Sequence, residues 1–294
     1  MSSKPRILFV TGAWHDSTYL SATCASLKSK GYPITCPTLP SFAASPHISM
    51  RDDADHIRVL LDECLRKGEN VLVVAHSYGG VVATQAILPC HSRRARSVSG
   101  LPGGVIRIFY VAGFMLVPGQ SLTTALSGGL MPAWTPLEQD GMCEMQNPNW
   151  RFYNDLPEHQ ADQWSSHLRK CPAMVQLTPL ENAAYFHVPS TYLFCEQDRA
   201  VPLPVQKWMV DNTRAFGAVF ETETCSASHT PFLSQQGFVE DLIEKLASDV
   251  PDDFAEAQKK QATRFQEIVA ELTKMAAEAQ SNVKKDGTTQ REPT

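Results

Sequence analysis

Three side chains far apart in the chain, Ser77, Asp198 and His229, are of the types that nucleophilic catalysis requires. A serine hydroxyl attacks a carbonyl only when a base takes its proton, an acid holds that base in one tautomer, and N–H donors receive the charge that develops on oxygen. Ser77 lies in Ala75-His76-Ser77-Tyr78-Gly79, directly after Val71-Leu72-Val73-Val74. That apolar, mostly β-branched run reads as a strand buried on both faces, and the stretch from Gly79 to Leu88 reads as a helix. A serine at the tip of such an elbow stands clear of the backbone, with a helix N-terminus behind it that favours negative charge. The usual elbow pattern is G-x-S-x-G. Alanine stands here in place of the first glycine, and Ala75 and Gly79 are both small enough for the turn.

An acid and a base follow in order. Asp198 stands in Cys195-Glu196-Gln197-Asp198-Arg199-Ala200-Val201-Pro202, just past the apolar run Thr191–Cys195, where a carboxylate can orient a histidine. Glu196 is the alternative acid, and a helix N-cap or loop turn is the bland account of Asp198. His229 stands in Ser226-Ala227-Ser228-His229-Thr230-Pro231, a small-residue loop ahead of the final helix. His76 adjoins the serine and is expected to point into the fold. His15, in the first turn, could reach a substrate. For the oxyanion, the candidate donors are the backbone N–H groups of Tyr78 and of Ala13, the latter in Thr11-Gly12-Ala13-Trp14-His15, where Gly12 permits close approach. An ordinary tight turn would account for Gly12-Ala13 equally simply.

The elements that must position these residues alternate. Strands are expected over 6–11, 32–36, 71–74, 105–111, 190–195 and 218–222, with helices over 17–30, 52–66, 79–88, 203–216 and 238–247. Alternation of this kind argues for an α/β fold: a mostly parallel, doubly wound sheet whose sites gather at the carboxyl ends of strands. Residues 89–103 read as a surface loop, in which His91, Arg93, Arg94 and Arg96 could form an anion patch or simply be solvated. From 115 to 187 the alternation breaks, with only short helical pieces such as Glu158–Leu168, and an inserted helical cap is expected. The core then comprises 1–114 and 188–250. Met131, Trp134, Met145 and Phe152 of the cap, with Trp14 and His15, are expected to contact the substrate, and their character suits a medium-sized apolar or aromatic acyl group. For any one cap residue, packing in the cap's own small core is the competing account. Beyond the core, 251–283 reads as an extra C-terminal amphipathic helix with an apolar seam through Phe265, Ile268, Leu272, Met275 and Ala279, and 284–294 as a disordered tail.

Composition bounds the rest. At 294 residues, 43% hydrophobic and 19% charged, the chain suits one large domain with an insertion, and a net charge of −5 leaves no nucleic-acid footprint. The opening Met1-Ser2-Ser3-Lys4-Pro5 runs into a short strand rather than a signal peptide, and no stretch approaches the ~18 apolar residues that span a membrane. The 8 cysteines are scattered without Cys-x-x-Cys, which reads as reduced structural thiols in a cytoplasmic protein. No metal or cofactor is expected. The expected partner is a small-molecule substrate, with no nucleic acid and no membrane; a homodimer, if one forms, would pair through the cap or the C-terminal helix.

Taken together, Gly12-Ala13-Trp14-His15, Ala75-His76-Ser77-Tyr78-Gly79-Gly80, Cys195-Glu196-Gln197-Asp198 with Val201-Pro202, and Ser228-His229-Thr230-Pro231-Phe232-Leu233-Ser234 resemble the α/β-hydrolase superfamily. The likeness is to its branch of small cap-bearing esterases and hydroxynitrile lyases and their fungal relatives, and it covers about 6–248. The resemblance implies the α/β-hydrolase fold, Ser77 as the nucleophile on an ester carbonyl, Asp198 and His229 as acid and base, and the backbone at Ala13 and Tyr78 as the oxyanion hole. Two departures stand out. Thr11 occupies the place where the branch often has histidine. Thr230 follows His229 where the hydroxynitrile lyases carry the lysine that stabilises cyanide, so cyanohydrin cleavage loses its main support. The expected activity is cleavage of a carboxylic ester, lactone or thioester through an acyl-enzyme. The same triad would also serve a biosynthetic hydrolase in secondary metabolism (C–C cleavage, lactone chemistry or release of a polyketide-type product). A non-catalytic binding protein of this fold usually shows a broken triad.

Overall fold

Val71, Val73 and Ala75 bury into one apolar layer and Leu72 and Val74 into another, so the strand leading to the elbow is covered on both faces. The computed structural model describes residues 4–42, 45–126 and 140–248. Its strands in chain order are β1 (Arg6–Val10), β2 (Ile34–Thr35), β3 (Asn70–His76), β4 (Gly104–Val111), β5 (Met142–Cys143), β6 (Cys171–Pro172), β7 (Ser190–Cys195) and β8 (Phe220–Cys225). Six of them form one sheet in the order β2-β1-β3-β4-β7-β8, and every pairing in it is parallel. Parallel neighbours need crossovers, and here helices supply cover on both faces. Helix α1 (Ser21–Ser29) and the helix Gln236–Ser248 bury Leu27, Val239 and Ile243 in one layer. Helices α2 (Met50–Arg66) and α3 (Gly79–Ala86), with the helix Leu203–Ala215, bury Ile57, Val82 and Met209 in the other.

The strand order reverses between β1 and β3. The chain leaves β1 toward β2 on one side and returns to β3 on the other, so the loops after β1 and β3 part and leave a crevice at their carboxyl ends. The segment Gly12–His15 follows β1 and Ser77 follows β3, which puts both beside that crevice.

Several elements differ from their expected form. The helix expected over 17–30 is a 3₁₀ turn, Ser17–Leu20, followed by α1, because the Asp16 side chain caps the turn by accepting from the Thr18 N–H at 2.9 Å. The loop expected over 89–103 contains a 3₁₀ turn, Pro89–His91, and a short helix, Arg93–Val98, capped by Ser92 Oγ accepting from the Ala95 N–H at 3.2 Å. Its basic side chains are partly occupied locally: Arg96 donates to the Leu65 carbonyl at 2.8 Å, and His91 Nε2 lies 3.2 Å from Asp62. The last strand runs to Cys225 rather than 222, since an edge strand tolerates the charged Glu221 and Glu223. Between β4 and β7 lie short helices and also a two-stranded antiparallel ladder, β5 with β6, pairing Met142 with Pro172 and Cys143 with Cys171. Strands of two residues carry no periodicity that a sequence could display. The expected C-terminal helix at 251–283, the tail at 284–294, Met131 and Trp134 lie outside the described residues. Among the described residues, no helix is long and apolar enough to cross a membrane.

Candidate active site

Ser77 leaves β3 with φ of 54°. A non-glycine residue held in that left-handed region costs about 1–3 kcal/mol and persists only where its surroundings over-determine it. Three backbone hydrogen bonds do so: Ser77 N–H donates to Val111 at 3.2 Å, and the Ser77 carbonyl accepts from Gly80 at 2.9 Å and from Phe114 at 3.0 Å. The turn also needs its glycines. A Cβ on Gly79 would meet the Val10 carbonyl oxygen at 2.3 Å, and one on Gly80 the Phe114 carbonyl oxygen at 2.7 Å. Both contacts are closer than a real Cβ tolerates, so only glycine lets α3 start directly against the strand ends.

The loops after β7 and β8 bring the other two side chains to the elbow. Ser77 Oγ–H donates to His229 Nε2 at 2.8 Å, and His229 Nδ1–H donates to Asp198 Oδ2 at 2.8 Å. Asp198 is itself held: its Oδ1 accepts from the Ala200 and Val201 N–H groups at 2.8 and 2.7 Å, and its Oδ2 from Gln206 at 3.3 Å. A carboxylate fixed in this way determines which ring nitrogen of the histidine carries the proton. Ser77, Asp198 and His229 are all buried, so water competes little for these bonds. Glu196, the alternative acid, is exposed, and its backbone N–H pairs with the Cys225 carbonyl.

Gly12 brings the first loop against the elbow. A Cβ there would stand 3.2 Å from both Ser77 Cβ and His76 Nδ1. Ala13 is buried at this turn, and Trp14 next to it has φ of 65°. Tyr78 is buried after the serine, its hydroxyl donating to Asp53 Oδ2 at 2.7 Å, while Asp53 Oδ1 accepts from the Ser41 N–H at 2.8 Å. Burial pushes the Asp53 carboxyl above the usual carboxylate range, and its two donors partly offset that. Tyr78 is thereby anchored by its side chain to α2.

The two remaining histidines near the serine are spent on structure. His76 donates Nε2–H to the His229 carbonyl at 2.8 Å and accepts at Nδ1 from the Tyr19 hydroxyl at 2.9 Å, and Tyr19 in turn accepts from the Gly12 N–H at 3.3 Å. Burial and the neighbouring His229 and His15 hold its pKa well below the ordinary value, so it is neutral. His15 donates Nδ1–H to the Ala13 carbonyl at 2.8 Å and accepts at Nε2 from the Tyr153 hydroxyl at 2.8 Å. Burial lowers its pKa to about 4. Both His15 nitrogens are engaged, so only its ring surface is left for a ligand. Trp14 donates its indole N–H to the Cys143 carbonyl at 3.1 Å. Phe152 stacks on His229 with centroids 5.2 Å apart and planes 24° apart, and Met145 is buried in the same layer.

Sequence reasoning missed Tyr19, Asp53, Asn154, Asp155 and Gln206, and the bonding roles of Ser228 and of Tyr153, which it reads only as an apolar lining residue of the cap. Each acts through a hydrogen bond to a residue outside its own element, and none sits in a spacing that marks it. Among the described residues, no group of three or more His, Cys, Asp or Glu side chains is arranged to hold a metal ion.

A serine–histidine–aspartate chain at the switch point of a parallel, doubly wound sheet defines the class of this protein as an α/β enzyme. The model of the Alpha/beta hydrolase family matches residues 7–242. The chain therefore belongs to the α/β-hydrolase family, as an enzyme with hydrolase activity. It is similar to the alpha/beta hydrolase nvfD of Aspergillus novofumigatus, 28% identical over 253 residues that span 84% of this chain and 98% of that protein. It is also similar to the probable hydrolase R7 of a Phoma species, 28% identical over 251 residues, covering 83% and 99%. Among solved structures, that of polyneuridine aldehyde esterase superposes with a TM-score of 0.66 at 18% identity, covering 84% of this chain and all of the other.

Proposed function

We propose that this chain is a serine hydrolase that cleaves a carboxylic ester, lactone or thioester of a medium-sized apolar small molecule through an acyl-enzyme on Ser77. The observation that carries this reading is the unbroken relay from Ser77 Oγ to His229 Nε2 and from His229 Nδ1 to Asp198 Oδ2, both links at 2.8 Å. His229 takes the Ser77 proton as Oγ attacks the carbonyl carbon. The backbone N–H groups of Ala13 and Tyr78 receive the oxyanion; losing one such donor costs on the order of 3 kcal/mol of transition-state stabilisation. The imidazolium, steadied by Asp198, then protonates the departing alcohol or thiol, and the acyl group stays on Ser77. Water, activated by the now neutral His229, releases the acid and restores the serine.

Phe152, stacked on His229, and Trp14, tilted against Phe152, support an apolar acyl side, and Met131, Trp134 and Met145 belong to the same proposal. Placement in the cytoplasm is part of this reading, and a role in secondary metabolism belongs to the alternative in which the same triad serves a biosynthetic hydrolase.

The test is labelling with a fluorophosphonate probe, followed by turnover of p-nitrophenyl esters of graded acyl length. Wild type is expected to be labelled once, at Ser77, and Ser77→Ala to lose both labelling and turnover. A wild type left unlabelled, or labelled elsewhere, overturns the proposal. A parallel panel of lactones and thioesters ranks the leaving groups.

A further inference from the structure

Four consecutive residues of the segment between β4 and β7 touch the loops after β1, β7 and β8. Tyr153 donates its hydroxyl to His15 Nε2 at 2.8 Å, and His15 donates to the Ala13 carbonyl at 2.8 Å, which ties the segment to the loop after β1. Asn154 donates its side-chain amide to the Gln197 carbonyl at 3.1 Å, one residue before Asp198. Asp155 accepts from the Ser228 N–H at 2.7 Å and from the Ser228 hydroxyl, one residue before His229. The Phe152 carbonyl accepts from the Thr230 hydroxyl at 2.9 Å and shares with Asp155 the single proton of the Ser228 hydroxyl, 3.0 Å away, so both neighbours of His229 lie against one backbone atom. The Phe152 ring, meanwhile, stacks on the imidazole between them.

These contacts do not resemble the packing of an ordinary insertion. Loops after separate strands are each fixed at their own strand end and bonded to one another at only a few points, such as Gln197 N–H to the Ala227 carbonyl at 3.0 Å and His76 Nε2–H to the His229 carbonyl at 2.8 Å, so freedom remains between them. A shift of about 1 Å in such a site costs on the order of 100-fold in rate. One short segment bonded to all three loops removes that freedom.

We propose that Phe152-Tyr153-Asn154-Asp155 is a single positioning clamp that sets the base loop, the acid loop and the oxyanion loop relative to one another. Tyr153 and Asp155 are its two positioning residues, at the oxyanion end and the base end. The proposal rests on the reading of Ser77 as nucleophile for its kinetic consequence, but not for its structural one. It also assigns the segment a task besides lining the acyl pocket.

The experiment uses Tyr153→Phe, Asp155→Ala, Asp155→Asn and the double variant Tyr153→Phe/Asp155→Ala in the full chain. Asp155→Ala is expected to lower kcat and the fluorophosphonate labelling rate about 10- to 100-fold with KM nearly unchanged. Asp155→Asn keeps one acceptor oxygen for Ser228 and is expected to recover most of that loss. Because both ends belong to one device, the double variant is expected to lose clearly less than the product of the single losses. Hydrogen exchange of the segment 226–233 gives an independent readout, and is expected to speed up in Asp155→Ala and to stay near wild type in Asp155→Asn. Unchanged kcat and exchange in Asp155→Ala overturn the clamp. So do multiplicative losses in the double variant, or a lower Tm with unaltered kcat per folded molecule. A wild type that resists labelling, while Asp155→Ala still loosens 226–233, counts against the hydrolase reading and leaves the clamp standing.

Discussion

Ser77 is held in a conformation that its own side chain disfavours, with φ of 54°. Alanine at this position would keep the strain and lose the bond to His229. Glycine would lose the same bond but relax the backbone, since without a Cβ the left-handed region is freely accessible. Ser77→Gly is therefore expected to exceed Ser77→Ala in unfolding free energy by about 1 kcal/mol, the reverse of the order seen at ordinary positions. Urea unfolding of the two variants checks this, and an Ala variant at least as stable as Gly would show that the turn stores no strain. Both variants are expected to be inactive, so the comparison isolates the backbone from the chemistry.

At the scale of elements, the loop that carries Asp198 depends on the helix Leu203–Ala215. Gln206, fully buried on that helix, accepts from the Cys195 N–H at 3.0 Å and donates to the Cys195 carbonyl at 3.0 Å and the Val201 carbonyl at 2.7 Å. One side chain thus pins the end of β7 to the start of the helix, with Asp198 between them. Gln206→Leu fills the space but leaves the Cys195 N–H and the Val201 carbonyl without that partner, each at a cost of about 1–3 kcal/mol, while the Cys195 carbonyl keeps only the Asp198 N–H at 3.4 Å. It is expected to destabilise the fold by at least ~2 kcal/mol in urea unfolding and to lower kcat more than it raises KM. A variant with wild-type kcat would show that this loop is held adequately by Ala200 and Val201 alone.

At the scale of the whole molecule, two buried, neutral histidines, His15 and His76, lie beside the Ser77 elbow. His15 titrates near 4 in the fold against an ordinary 6.5, because burial disfavours its charged form. Between those values the unfolded chain binds a proton that the native protein refuses, so native stability rises with pH through the window and falls as pH drops from 6.5 toward 4, by up to about 1.4 kcal/mol per pH unit. His76, lowered for the same reason, acts in the same direction. Replacing His15 with glutamine removes its titration. The stability advantage of wild type over His15→Gln is expected to be greatest above pH 6.5 and to shrink on acidification, as measured by thermal unfolding at fixed ionic strength. A gap independent of pH would place the His15 pKa near its ordinary value.

Local patterns carried much of this protein. The apolar runs of β1, β3, β4 and β7 are legible because strands buried on both faces must be continuously apolar, and α2 because its buried residues recur at the helical period. The chain order Ser77, Asp198, His229 is equally readable, since each stands just beyond such a run. What the sequence by itself determined, then, was the alternation of elements, the family they resemble and three candidate side chains at strand ends. Only the tertiary structure decided how those ends meet: the β1–β3 switch point, the tautomers of His15, His76 and His229, and the grip of Tyr153, Asn154 and Asp155 on three loops. Tyr153 and His15 are 138 residues apart, and Asp155 and Ser228 are 73 apart. Periodicity records which face of its own element a residue occupies. A hydrogen bond between loops depends on where the packed sheet brings their ends, and no local spacing encodes that.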